Sequence, residues 1–154
     1  MAVEVGQRAP EFRLPTDDWE KEASLGELAQ GGPLVLFFYP GDWSSVCSDQ
    51  LSVVQGEMGR FADRGAAVAA VSVDSPWSHK AFARERGIEF PLLSDFGREV
   101  VERYGVKHEQ GFPERAYFVI DGGGIVRARR IESSPKDQPD LDAVLADLDN
   151  AVSE

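Results

Sequence analysis

The chain has 154 residues, 42% of them hydrophobic and 28% charged, which suits one soluble globular domain with an ordinary core and excludes a disordered chain. Its formal net charge of −11 repels nucleic acid and anionic membrane surfaces alike, so neither is expected as a partner. The longest apolar stretch, residues 33–40, is far short of a membrane span. The N-terminus, Met1-Ala2-Val3-Glu4-Val5, has no basic region and no signal-type apolar run, so a cytoplasmic location is expected.

In chain order, the segment around Phe12-Arg13-Leu14-Pro15 suggests an extra strand or hairpin ahead of the core. Residues 33–40 read as a central strand, because a continuous apolar run bounded by turn residues suits a sheet buried on both faces. Cys47, Leu51, Val54, Met58 and Phe61 recur at helical spacing, which predicts one helix over 46–63, ended near Gly65, with the cysteine at the start of its apolar stripe. Residues 66–73 form another buried strand. Ser75-Pro76 then reads as an N-cap followed by proline at the first helical position, and that helix stops at Gly87. A short extended segment, 90–93, leads to Asp95, which is expected to cap a helix running to Tyr104.

Residues 116–120 and 125–131, joined by Asp121-Gly122-Gly123-Gly124, read as a β-hairpin. The prolines and charges of 133–139 mark a surface connection. Leu141, Val144, Leu145 and Leu148 give a last helix one apolar face. No repeat or long linker divides the chain, so 1–154 is expected to be a single α/β domain with a central mixed sheet flanked by helices.

Cys47 is the one cysteine of the chain, which rules out an internal disulfide and any multi-cysteine metal site, and no metal or cofactor is expected. It stands where the apolar strand gives way to a loop and a helix begins. A thiolate gains stability at a helix N-terminus or beside a cation, so this placement makes Cys47 a candidate nucleophile. The competing reading is a small buried hydrophobe, common for a free cysteine.

Pro40-x-x-x-Ser44-x-x-Cys47 following a hydrophobic strand resembles the active-site signature of the peroxiredoxins. The blocks Val71-Ser72-Val73-Asp74-Ser75-Pro76, His79-Lys80-Ala81-Phe82 and Phe90-Pro91-Leu92-Leu93-Ser94-Asp95 are similar to blocks of the same family. Arg115-Ala116-Tyr117-Phe118-Val119-Ile120-Asp121 is similar to the strand that carries its active-site arginine. The match covers roughly residues 3–131 and most resembles the branch of the bacterioferritin comigratory proteins and E-type alkyl hydroperoxide reductases. It implies a thioredoxin-like fold with an N-terminal extension, and a thiol-dependent peroxidase acting on hydrogen peroxide and organic hydroperoxides.

The resemblance gives Cys47 the attack on the peroxide, Ser44 a hydroxyl for the peroxide oxygens, Arg115 a guanidinium that steadies thiolate and developing charge, and Pro40 the closure of the pocket. Each has a plainer alternative. Ser44 is also a good helix cap, Pro40 a strand terminator, and Arg115 a surface partner for Glu114. His79, inside the helix after Ser75, and His108, in a charged loop, are expected to be exposed and not catalytic. Trp43, four residues before Cys47, is expected to pack over the pocket.

Three positions depart from the family pattern. Serine stands at 44, where threonine is frequent. Gln50 replaces a frequent glutamate; it still offers Arg115 an acceptor, without charge assistance. Ser52 stands where many relatives carry a resolving cysteine. With no second thiol, a Cys47 sulfenic acid must be reduced by an external thiol or a small redoxin. The alternatives are a redox sensor or relay using the same cysteine, and a binding or chaperone module on the same fold; a homodimer is left open.

Overall fold

The computed structural model describes residues 3–42, 45–132 and 140–152, and of 45–49 and 152 the backbone alone. An antiparallel hairpin, β1 (Arg13–Asp18) and β2 (Lys21–Ser24), leads into the short helix α1 (Leu25–Leu28), opened by a Ser24–Glu27 capping box. The chain then enters β3 (Leu34–Phe38), all of whose residues are buried. Next come α2 (Ser45–Gly56), α3 (Met58–Ala62), β4 (Ala67–Ser72), α4 (Pro76–Arg86), β5 (Leu92–Ser94), α5 (Glu99–Arg103), β6 (Ala116–Ile120), β7 (Val126–Ile131) and α6 (Leu141–Val152).

The main sheet runs β5-β4-β3-β6-β7. β3 pairs parallel with β4 and β4 with β5, each connection passing through helix; β3 pairs antiparallel with β6, and β6 with β7. The mixed sheet and the N-terminal hairpin match the sequence reading.

Period-two alternation divides β3 between two cores. Leu34, Leu36 and Phe38 pack with Leu14, Leu25, Val100, Val101 and Tyr104 on one face. Val35, Phe37 and Tyr39 pack with Leu51, Val54, Phe61, Phe82, Val144, Leu145 and Leu148 on the other. Full burial of a leucine or phenylalanine contributes about 1.5–3 kcal/mol, so both faces of β3 anchor the fold. The second face carries α2 and α4, and the candidate site therefore lies on it.

Two boundaries differ from the sequence reading. The helix expected over 46–63 is broken: α2 ends at Gly56, and Glu57, at φ −110° and ψ 15°, separates it from α3. The apolar stripe survives the break, because Leu51, Val54 and Phe61 remain buried. The helix expected to start at Asp95 begins at Glu99, after Arg98 at φ 62°. Asp95 still serves it, accepting the Val101 N–H at 2.8 Å. α4 keeps its forecast ends, with Ser75 accepting the Ser78 N–H and Gly87 left-handed at φ 67°. The surface connection at 133–139 lies outside the described residues.

Candidate active site

β3 delivers its last residues to the site. Tyr39 extends the parallel ladder by donating its N–H to the Val71 carbonyl at 3.1 Å. Pro40, half-buried, has no N–H to continue it, and the chain leaves the sheet there. α2 begins at Ser45, which places Cys47 in its first turn, where backbone N–H groups have no partner within the helix. Ser44 and Trp43 lie outside the described residues, so a cap or a hydroxyl at 44 and a packed indole at 43 stay expectations.

Sheet register brings Arg115 to the same place. Phe38 pairs with Ala116, so the next positions along, Tyr39 and Arg115, stand side by side at the end of the sheet. Tyr117 and Val119 face the core that holds α2, and alternation turns Arg115 to that face. Arg115 is buried, not a surface partner of Glu114, and its Nη1 donates to Oε1 of Gln50. A guanidinium has only donors, so the contact fixes the amide with its oxygen toward Arg115. The opposite Nε2 is buried and has no hydrogen-bond partner among the described residues. Gln50 lies three residues after Cys47, one turn along α2.

His79 corrects the sequence reading. It is fully buried, with Nε2 3.0 Å from the Leu93 carbonyl and Nδ1 2.8 Å from Asp42 Oδ2. Asp42 is equally buried and accepts from the Tyr39 hydroxyl at 2.6 Å and from Ser78 Oγ at 2.7 Å. Its own N–H donates to Asp74 Oδ2 at 2.8 Å, and Ser72 Oγ donates to the same oxygen at 2.7 Å. Burial, the nearby Asp42 charge and the bond to Asp42 push the Tyr39 phenol well above its ordinary range, so Tyr39 remains a donor. The signal available in sequence was spacing: Pro76, His79 and Phe82 share one face of α4 and are all buried, whereas Trp77 is 70% exposed.

Asp42, Asp74 and His79 offer ligand atoms within 4.8 Å of one another. Protein donors already occupy both carboxylates. Nδ1 of His79, pressed against a carboxylate, needs a proton between them and so has no lone pair for a metal. The trio acts as a hydrogen-bonded brace. Among the described residues, no helix is long and apolar enough to cross a membrane.

Similarity to known proteins agrees with this geometry. Residues 5–129 match the AhpC/TSA family. A Coxiella burnetii protein named as peroxiredoxin bcp is 36% identical over 136 residues, covering 83% of this chain and 88% of its own. A chloroplastic peroxiredoxin Q of Populus jackii is 36% identical over 127 residues, covering 81% of this chain and 59% of its own. The crystal structure of peroxidoxin BcpB from Mycobacterium tuberculosis superposes with a TM-score of 0.86 at 29% identity, over 96% of this chain and 97% of that one.

A thioredoxin-like sheet whose central strand leads to a helix with a cysteine in its first turn, together with these relatives, defines the class: a thiol-dependent peroxidase. Within that class the chain belongs to the AhpC/TSA family and is a peroxiredoxin of the Bcp type.

Proposed function

We propose that Cys47 is the peroxidatic residue and that Arg115, Ser44 and Pro40 complete its site. The observation that carries this reading is the buried Arg115 guanidinium, bonded to Gln50 one turn beyond Cys47. A cation held there favours thiolate over thiol and stabilises charge growing on a peroxide oxygen.

The thiolate sulfur attacks one oxygen of the hydroperoxide in line with the O–O bond. The S–O bond forms as the O–O bond breaks, and the oxygen joined to sulfur keeps the substrate proton. The electron pair departs with the second oxygen, which takes a proton from water, replacing the one the thiol released on ionising, and leaves as water or an alcohol. Cys47 is left as a sulfenic acid. Arg115 holds charge on the reacting oxygens, Ser44 donates to the peroxide, and first-turn N–H groups of α2 add to the field. Pro40 shields the pocket without presenting a donor.

No second cysteine exists to condense with the sulfenic acid, and Ser52 is an exposed serine on α2. An external thiol, either a low-molecular-weight one or the cysteine of a small redoxin, attacks the Cys47 sulfur and releases water. A second thiol then reduces the mixed disulfide. Peroxide consumption by the wild type and Cys47→Ser tests the assignment: the variant should be inactive, and residual turnover above a few per cent would overturn it.

A further inference from the structure

Asp42 and His79 are both fully buried and bonded to each other. Burying a carboxylate and an imidazole is expensive, and apolar replacements of matching shape often serve a core as well or better. Here Asp42 sits at the exit of β3, five residues before Cys47, and the bonds of the pair reach four elements. Tyr39 ties Asp42 to the end of β3, Ser78 and His79 tie it to α4, and His79 Nε2 continues to the Leu93 carbonyl of β5. The backbone of Asp42 is fixed separately, through Asp74, to Ser72 on β4. Leu93 O only accepts, so Nε2 carries a hydrogen, and Nδ1 shares another with the carboxylate. Both ring nitrogens of His79 are thus engaged. The segment entering the cysteine loop is thus held at both its side chain and its backbone.

We propose that His79 and Asp42 are positioning residues of the peroxidase: through Asp42 they fix the stretch between β3 and α2, and so the placement of Cys47 against Arg115. This rests on Cys47 being the peroxidatic residue. Tyr39 and Ser78 complete the same brace, so a group misplaced by loss of one arm should show in the rate of attack and not only in stability.

Two near-isosteric substitutions separate the arms of the imidazole. In His79→Asn the amide nitrogen falls near Nδ1 and keeps the donor to Asp42 while losing Leu93. In His79→Gln it falls near Nε2, keeping Leu93 while Asp42 loses its bond to the ring and retains those from Tyr39 and Ser78. The second-order rate of thiolate oxidation by hydrogen peroxide is measured above the thiol pKa, together with the melting temperature. We expect His79→Gln to fall roughly tenfold or more, the scale of a misplaced reacting group, and His79→Asn to stay within about threefold, at comparable losses of melting temperature.

Equal rates in the two variants, or rates that simply track melting temperature, would overturn the proposal. Should neither variant fold, Tyr39→Phe removes one donor from Asp42 and leaves the ring in place. It should slow attack several-fold, and an unchanged rate would overturn the proposal equally. Cys47→Ser is run alongside: if consumption survives it, the cysteine assignment fails, whereas Cys47-dependent consumption with identical His79 variants defeats only the brace.

Discussion

Arg115 donates through Nη1 to Oε1 of Gln50, two buried side chains 65 residues apart in sequence. The bond joins the entrance of β6 to the turn of α2 that follows Cys47. It also leaves the Gln50 amide nitrogen buried without a partner among the described residues, a cost accepted in exchange for aiming the guanidinium.

Arg115→Ala should raise the Cys47 pKa and slow its oxidation by roughly 10²-fold or more, as loss of one charge-stabilising donor does. Gln50→Leu keeps the guanidinium but removes one acceptor from it. We expect it to cost about 1.5–3 kcal/mol in urea unfolding, the range for a hydrogen bond to a charged group, with a smaller loss of rate than Arg115→Ala. A pH–rate profile unchanged in Arg115→Ala would show that the α2 N-terminus activates the thiol unaided.

Ser44→Thr should keep the wild-type rate, since it retains the hydroxyl, while Ser44→Ala should be slower. If serine 44 only caps α2, alanine should instead cost about 1 kcal/mol of stability and spare the rate of attack. Stopped-flow oxidation and thermal melts on the same variants distinguish the two.

Equimolar peroxide without thiol should leave the protein as a Cys47 sulfenic acid, gaining one oxygen by intact mass, and excess peroxide should add a second to give the sulfinic acid. A small thiol added beforehand should give a single mixed disulfide that a further thiol removes. A disulfide-linked dimer as the main product on a non-reducing gel would replace the external-thiol cycle with one between subunits.

Asp121 offers a pH-dependent test of the hairpin. Burial pushes its carboxyl up, but the Ile125 N–H, the Arg127 guanidinium and the Gly123 N–H outweigh this and hold it below its ordinary value of 3.8. A depressed folded-state value contributes stability that is present above the unfolded value and lost as pH falls through the folded one. Asp121→Ala should therefore destabilise at neutral pH by about 1–3 kcal/mol, and its deficit should shrink on acidification through the carboxylate range. Thermal melts over that range check the sign; a deficit independent of pH would show that the ionised carboxylate is not what stabilises the turn.

Local features of the fold were legible because neighbouring residues decide them. Ser75, Pro76 and Gly87 bound α4 by capping geometry and backbone freedom. Asp121 closes a turn in which Gly124 takes φ 86°, a conformation glycine adopts without strain. The strand-loop-helix passage that places Cys47 at a helix start follows from the apolar run before Pro40 and the stripe after it.

His79 and Trp77 show where that legibility stopped. By residue type, the tryptophan of α4 would turn inward and the histidine outward. In the fold His79 is fully buried, and Trp77 is 70% exposed, its ring 5.7 Å from that of Trp19. Burying an imidazole is tolerable only where partners await it, and those partners, Asp42 and the Leu93 carbonyl, come from 37 residues before and 14 after.

The sequence by itself determined that the chain holds one thiol, placed where a helix begins, and gave the order of the main-sheet strands, because composition, spacing and capping are local or countable. It also offered Gln50 as an acceptor for Arg115 through family resemblance. Only the tertiary structure decided that Arg115 and Gln50 meet in the core, and that Asp42, His79, Tyr39 and Ser78 close around the loop entrance. Those contacts depend on β3 pairing with β4 and β6 in one register, and a one-residue slip would turn Tyr39 and Arg115 to the opposite face.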